Sequence, residues 1–234
     1  MEPFSQSVAL ALHLIARHDP ELVGIILLSV RVSVLATTFA SVIGLPLGAL
    51  VALASFPGRG LLVVTLNALV GLPSVVVGLT AYLLISRAGP LGSLGILFTP
   101  AAMIIAQTIL VFPLIAALTR QLIHDVWSEY QEQLRSLGVS RLRAARTLLW
   151  DCRFSLGTVL MAAFGRAISE VGSVMIVGGN IAGVTRVMTT TIALQTSMGN
   201  LPLALALGGL LLFIVVAVNA LSHATMSLAQ RRYG

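Results

Sequence analysis

Two residues of opposite charge lie inside one apolar stretch of the sequence, and their spacing makes them candidates for chemistry there. Arg166 and Glu170 fall within residues 155–178, and a helix would place residues four apart on one face. A charged side chain at the centre of a membrane helix costs about 2.5–3.5 kcal/mol on insertion scales, so we expect both to face protein. The two could simply fix this helix against its neighbours. Alternatively, Arg166 could attract an anion while Glu170 limits that attraction and permits release.

Uncharged polar residues follow the same stretch. Their hydroxyl and amide groups can hydrogen-bond an oxyanion without supplying a full charge. The candidate residues of a substrate path or gate are therefore Arg166, Glu170, Asn180, Thr189 and Thr190. Thr185 and Thr191 belong to the same polar group. An ordinary turn at Gly178-Gly179-Asn180 would explain the polar residues equally well, so both interpretations stay open.

Other chemistries are excluded by residues that the sequence lacks or scatters. It contains no lysine, so it cannot form the Walker A loop that holds ATP phosphates. Cys152 is the only cysteine, which excludes an intrachain disulfide and a Cys-rich metal site. The four histidines lie on separate segments, at His13, His18, His124 and His223. No hydrolase or metalloprotease motif is present, so we expect no catalytic residue, no metal and no cofactor bound by this chain.

The composition is that of a chain surrounded largely by lipid. Of its 234 residues, 57% are hydrophobic and only 9% are charged, against about 25% charged in soluble domains. The net charge is +6, and all fourteen basic residues are arginine. Because these arginines cluster between apolar segments, they favour membrane topology over nucleic-acid binding.

Long apolar stretches predict an all-α integral membrane protein with five transmembrane helices, since a bilayer core needs about 20 apolar residues in a helix. The predicted spans cover residues of about 32–54, 61–86, 100–119, 155–178 and 201–221. An interfacial segment (1–21) precedes the transmembrane domain (22–228), and a tail (229–234) follows it. Val8–Ala16 is too short to cross the bilayer and should lie at its surface.

Glycine and proline residues interrupt the predicted spans. Gly44-Leu45-Pro46-Leu47-Gly48 should kink or thin the first span and allow close packing against a neighbour. Arg31 should lie at the boundary of that span, where its guanidinium can reach water. Pro73, near the middle of the second span, frees a backbone carbonyl that protein or water must satisfy.

The distribution of arginine predicts the orientation. With five spans, nine arginines of the loops and tail share one side of the membrane, and three lie on the other. The positive-inside rule then places the N-terminus outside and the C-terminus in the cytoplasm of a bacterial or archaeal cell.

The segment 120–153 differs from its surroundings, because it holds ten of the chain's 22 charged residues. Ser128 to Trp150 predicts two short helices with a break at Gly138, a natural helix C-cap, and with Ser140 as the N-cap of the second helix. Such a hairpin could lie on anionic lipid headgroups or could dock a protein, and composition favours neither.

The hairpin resembles the cytoplasmic loop of permeases of ABC importers, whose pattern is E-A-A-x3-G-x9-I-x-L-P. Glu132, Gly138 and the later aliphatic Leu148 match in register, whereas Gln133 and Leu134 replace the two alanines. A second stretch, Phe164 to Gly172 with Val177-Gly178-Gly179-Asn180-Ile181 and Thr185 to Thr190, is similar to the oxyanion branch of these permeases. It is closest to the permeases of tungstate uptake, and the molybdate and sulfate permeases are next.

The resemblance implies a type I permease core, which forms a homodimer around a central pathway. It also implies two copies of a separate ATPase subunit, which carry ATP and Mg²⁺, and an extracytoplasmic oxyanion-binding protein. The coupling loop that contacts the ATPase would be the segment 120–153. The contact residues it implies are Glu132, Arg135, Leu137, Gly138, Val139, Ser140 and Arg141.

Two other classes of function are alternative hypotheses. A self-sufficient secondary carrier or channel would need repeated halves, and five spans do not divide equally. A lipid-modifying membrane enzyme would need a nucleophile or a metal constellation, which the sequence does not provide.

Overall fold

A computed structural model describes residues 20–233, so the predicted interfacial segment Val8–Ala16 lies outside the described residues. Within that range the ordered elements are helices, as predicted, and no strand occurs. The α-helices in chain order are α1 (Pro20–Leu53), α2 (Arg59–Val70), α3 (Ser74–Ile85), α4 (Pro100–Ser136), α5 (Arg141–Asp151), α6 (Arg153–Ile168), α7 (Gly172–Gly178), α8 (Met188–Ser197) and α9 (Leu201–Tyr233). A short 3-10 helix covers Gly92–Leu94.

Three helices of the described chain are long and apolar enough to cross a membrane. They are α1, the Pro100–Leu134 part of α4 and the Leu201–Ser222 part of α9. Two further spans are possible if the consecutive helices α2 and α3, and α5 and α6, each count as one broken span. The structure thus contains three to five candidate spans, and the number five stays a prediction.

Two helices extend well beyond the spans predicted for them. Helix α1 begins at Pro20, so Arg31 lies inside the helix and is exposed. The position of Arg31 at the lipid boundary stays a prediction. Helix α4 continues past residue 119 to Ser136. The prediction of a separate short helix from Ser128 was therefore wrong. Glutamate, glutamine, leucine and arginine dominate its last turns, and all four are good helix formers, so nothing there ends the helix.

The second and fourth predicted spans are each broken. Helices α2 and α3 are separated at Gly71-Leu72-Pro73, because proline has no amide hydrogen and disfavours helical geometry at the residue before it. Helix α6 ends at Ile168, and α7 starts only at Gly172. At its other end, α6 bends by 76° from α5 across Cys152. Neither predicted span is one continuous helix.

The chain divides into two compact units. Among the described residues, the first comprises 20–35, 73–107 and 167–220. Its buried core contains Val32, Ala81, Met103, Val174 and Val177, among others. Within it, α3 and α7 pack closely: a Cβ added at Gly78 would lie 2.7 Å from the Cα of Ser173. Only glycine permits that approach.

The second unit comprises residues 36–72, 108–166 and 221–233. Its core joins the end of α1, the second half of α4 and one face of α5, through Ala49, Ala52, Leu53, Ile123, Trp127, Ala144, Ala145 and Leu148. A Cβ added at Gly48 would lie 2.5 Å from the carbonyl oxygen of Ala116. The predicted close packing at the Gly44–Gly48 stretch is confirmed, and α1 runs through Pro46 without interruption.

Candidate coupling hairpin and polar cluster

Glu170 lies in the break between α6 and α7, and its side chain is buried with 4% exposure. The carboxylate oxygen Oε1 accepts a hydrogen bond from the backbone N–H of Ser173 at 3.0 Å. A carboxylate at this place satisfies one of the amides at the start of α7 that have no partner within the helix. Glu170 therefore fixes the start of the short helix.

Arg166 does not share a helix face with Glu170, so that prediction was wrong. Helix α6 ends at Ile168, and the chain leaves helical geometry before it reaches Glu170. Arg166 is exposed, whereas Glu170 is buried. The break could not be read from the i,i+4 spacing, since Ser169 and Val171 do not exclude a helix.

Thr189 and Thr190 lie at the start of α8, and both are buried. The Thr189 hydroxyl donates to the backbone carbonyl of Glu170 at 2.7 Å. The Thr190 oxygen accepts the N–H of Val187 at 3.1 Å and also contacts the Val187 carbonyl at 3.0 Å. The structure thus brings two of the predicted path residues, Glu170 and Thr189, into contact. It gives both threonine hydroxyls intramolecular partners.

Asn180 and Thr185 belong to the loop between α7 and α8. Asn180 has a positive φ of 50°, which asparagine tolerates better than most residues. The Thr185 oxygen accepts the N–H of Ile181 at 2.9 Å and donates to the carbonyl of Gly178. The polar residues of this loop therefore form the predicted turn, and this does not exclude a second role in binding substrate.

Two polar residues that were not among the predicted site residues form hydrogen bonds between helices of the first unit. The Ser29 hydroxyl of α1 accepts the N–H of Met188 at 2.9 Å, which anchors the start of α8. The Gln107 amide of α4 donates to the carbonyl of Ala167 at 2.9 Å. Gln107 could be noticed as a polar residue inside an apolar stretch, but a serine in a membrane helix gives no comparable signal.

Some buried polar atoms of the same unit make no hydrogen bond within the described part of the chain: Gln107 Oε1, Ser173 Oγ, Asn180 Oδ1 and Arg186 Nε. Arg186 also forms an ion pair at 3.5 Å with Glu21, at the first turn of α1. These atoms have hydrogen-bonding capacity left for water or a ligand.

The hairpin that the sequence predicts as a coupling loop consists of the end of α4, the turn at Gly138 and α5. Gly138 has a φ of +67°, and the N–H of Val139 donates to the carbonyl of Leu134 at 3.0 Å. This is the hydrogen bond of a Schellman C-cap, which confirms the predicted break. Ser140 occupies the predicted N-cap position of α5, but its side chain makes no capping hydrogen bond.

Helix α5 is amphipathic. Ala144, Ala145 and Leu148 are buried on one side, and they pack against the core of the second unit. The opposite side exposes two large apolar residues, Leu142 and Trp150, together with Arg143 and Arg146, and Arg141 is exposed in the first turn. A helix fixed on one face and exposed on the other suits contact with another surface.

The residues predicted to contact the ATPase lie around the turn of this hairpin. Glu132, Leu137, Gly138, Ser140 and Arg141 are exposed, and Val139 is half-buried. The side chain of Arg135 is outside the described atoms. Among the described residues, no group of three His, Cys, Asp or Glu side chains could hold a metal ion. The expectation that the chain binds no metal or cofactor stays a prediction.

Broken apolar helices, with an amphipathic hairpin that interrupts their sequence, define a multi-pass helical membrane protein. Residues 44–232 match the family described as the binding-protein-dependent transport system inner membrane component, and the chain belongs to this family. The match includes the hairpin and most of both units. The predicted membership in the permeases of ABC importers is confirmed.

Individual relatives are similar over most of their length. A tungstate uptake system permease protein of Peptoclostridium acidaminophilum is 43% identical over 95% of this chain and 98% of its own. A probable anion ABC transporter permease protein of Haloferax volcanii is 40% identical over 86% of this chain and 88% of its own. A molybdenum transport system permease protein of Escherichia coli is 32% identical over 72% of this chain and 76% of its own.

Proposed function

We propose that this chain is the membrane-spanning subunit of an ATP-driven importer that carries tungstate into the cell. The observation that supports the substrate most strongly is the 43% identity to a tungstate permease across 95% of the chain. Transport as such follows from the family, whose members are inner-membrane components of binding-protein-dependent systems.

Energy comes from a partner, because the chain has no lysine for a Walker A loop. Two copies of an ATPase subunit bind ATP and Mg²⁺ and receive the coupling hairpins of a permease homodimer. The exposed turn at Leu137 and Gly138 supports this role, as does the fixed inner face of α5. Closure of the ATPase pair then moves the hairpin and shifts the membrane gate between two states.

In this proposal five spans place the N-terminus outside and the hairpin in the cytoplasm. The broken helix pair α2–α3 supplies the second span. Helices α6 and α7 supply the fourth, while α5 stays with the hairpin in the cytoplasm. The loop between α7 and α8 then faces the extracytoplasmic binding protein, and the polar residues near it would meet the arriving oxyanion.

Arg166 is the candidate gate residue whose position most favours contact with an anion. It is exposed on an apolar helix, where a guanidinium facing lipid would be unfavourable by about 2.5–3.5 kcal/mol. We infer that it faces the pathway of the assembled permease. The other candidate residues are Glu170, Asn180, Thr189 and Thr190, and all four belong to the first unit.

Molybdate is the second candidate substrate, because a molybdenum permease is 32% identical over 72% of the chain. Tungstate and molybdate are dianions of nearly equal size, so contacts of the permease alone would separate them poorly. The external binding protein would make the choice. Sulfate is the third candidate, from the sequence resemblance.

Uptake by proteoliposomes tests the function. The permease is reconstituted with its ATPase subunit and its binding protein, and the retained tungstate, molybdate or sulfate is measured with and without internal ATP. We expect uptake that requires both ATP and the binding protein, with tungstate taken up at the lowest concentration. Uptake without ATP would indicate a secondary carrier instead. A preference for sulfate would overturn the substrate but not the class of transporter.

A further inference from the structure

A groove on the second unit lies between the end of α1 and α5. Its volume is about 640 Å³, which falls in the range of about 300–1,000 Å³ common for small-molecule sites. The lining residues are Pro46, Leu50, Leu142, Ala145, Arg146, Thr147, Leu149 and Trp150. Six of the eight are apolar, and the charged one is an arginine with an exposed side chain.

The groove lies where α1 ends. Leu50 is within one turn of the last residue of this helix, Leu53. The Arg59 side chain donates to the carbonyls of Val51 and Ala52 at 2.9 and 3.1 Å, and so satisfies the C-terminal end of the helix. An apolar helix that ends on an arginine marks the boundary between hydrocarbon and headgroups.

Trp150 forms one wall of the groove and is exposed. The Arg153 guanidinium lies 5.1 Å from the centre of the Trp150 ring, and it also donates to the Trp150 carbonyl at 3.0 Å. Tryptophan is enriched at membrane interfaces because its ring is apolar and its N–H is polar. The wall thus combines an aromatic surface with positive charge, the combination typical of residues at the level of lipid headgroups.

We propose that this groove is a binding site for one anionic phospholipid. An acyl chain lies on the apolar surface of Pro46, Leu50 and Leu149. The phosphate accepts hydrogen bonds from Arg146 and from the Thr147 hydroxyl, with Arg153 behind the tryptophan adding positive charge. A zwitterionic lipid has the same phosphate but also an ammonium group, which the arginines repel, so the groove favours an anionic lipid.

Charge argues against a second copy of the chain as the occupant. Helix α5 carries three exposed arginines, at 141, 143 and 146, and one acidic residue, Asp151. In a twofold contact the same surface meets itself, so two copies would bring these arginines together. A lipid phosphate compensates them instead. Of the lining residues, only Leu142 adjoins a residue of the proposed ATPase contact, Arg141.

Native mass spectrometry of the full-length protein tests the proposal. The protein is equilibrated in detergent with equal amounts of phosphatidylglycerol and phosphatidylcholine, and retained lipids are counted. We expect the wild type to retain one phosphatidylglycerol, and Arg146→Gln to weaken its retention about fivefold, the effect of one basic residue near a membrane surface. Arg143→Gln is the matched control, since it removes the same charge from the same helix outside the groove.

Leu50→Trp fills the groove without changing its charge, and we expect it to displace the lipid as well. Equal effects of Arg143→Gln and Arg146→Gln would overturn the proposal, because they would mean a general attraction to basic residues. No preference of the wild type for phosphatidylglycerol would also overturn it. So would disulfide cross-linking between two copies through Leu50→Cys in a Cys152→Ser background, since a second copy would then occupy the groove.

Discussion

The hydroxyl of Thr189 donates to the backbone carbonyl of Glu170 across 2.7 Å, and this bond joins residues nineteen positions apart. It connects the start of α8 to the break between α6 and α7. Through its own carboxylate, Glu170 also holds the N–H of Ser173. Hydrogen bonds to both the backbone and the side chain of Glu170 therefore stabilise the break between α6 and α7.

Replacing Thr189 with valine should destabilise the protein. Valine has nearly the same shape but no hydroxyl, so the buried carbonyl of Glu170 loses this donor, at a cost of about 1–3 kcal/mol. Thermal unfolding of the purified permease would measure the loss. Thr189→Ser keeps the hydroxyl and should remain closer to the wild type. An unchanged midpoint for Thr189→Val would mean that the bond contributes nothing to stability.

The close packing at Gly48 predicts a second effect on stability. A methyl group there would meet the backbone oxygen of Ala116, which cannot rotate away, and overpacking of this kind costs about 1–3 kcal/mol. Gly48→Ala should therefore lower the unfolding temperature. Gly24→Ala, in the same helix, meets nothing within 4 Å and should raise stability slightly through helix propensity. If both variants behaved alike, the close contact would be refuted.

The turn of the hairpin depends on Gly138, whose φ is +67°. Alanine in the left-handed region costs about 1–2 kcal/mol, whereas asparagine tolerates that region better. We expect Gly138→Ala to reduce ATP hydrolysis stimulated by loaded binding protein, and Gly138→Asn to retain more of it. Co-purification with the ATPase subunit reports on docking in the same samples. Equal activity of the two variants would show that turn geometry does not limit coupling.

Arg166→Gln tests the substrate path. The exposed guanidinium should not be needed for folding, so the variant should assemble and unfold as the wild type does. Its uptake of oxyanion should fall at least about tenfold, because a charge that contacts a dianion contributes on the order of 1.5–3 kcal/mol. Arg87→Gln makes the same change at another exposed arginine and should transport normally. If Arg166→Gln took up oxyanion at the wild-type rate, Arg166 would not contact the substrate.

Features that depend on one or two adjacent residues could be predicted from the sequence. The break at Gly138 is an example, because a glycine after a run of helix formers ends a helix by local geometry. The close approach at Gly48 follows from the absence of a side chain. The all-helical class follows from composition, since irregular backbone cannot face lipid.

Features that depend on distant partners could not be predicted. The spacing of Glu170 and Arg166 fits a helix. The position of Glu170 in the structure depends instead on two hydrogen bonds, one from the N–H of Ser173 and one from the hydroxyl of Thr189 in another helix. The end of the third predicted span was placed by hydropathy at residue 119, but α4 continues through charged residues to Ser136. Hydropathy locates the lipid boundary, and a helix does not need to end there.

The side of the membrane on which the hairpin lies tests the central claim most directly. Single cysteines at Ser136 or Ser140, both exposed, are introduced into a Cys152→Ser background and treated with a membrane-impermeant maleimide. The proposed coupling to a cytoplasmic ATPase predicts labelling in inverted vesicles and none in intact cells. Labelling of either cysteine in intact cells would contradict it, because the hairpin would then lie out of reach of any ATPase.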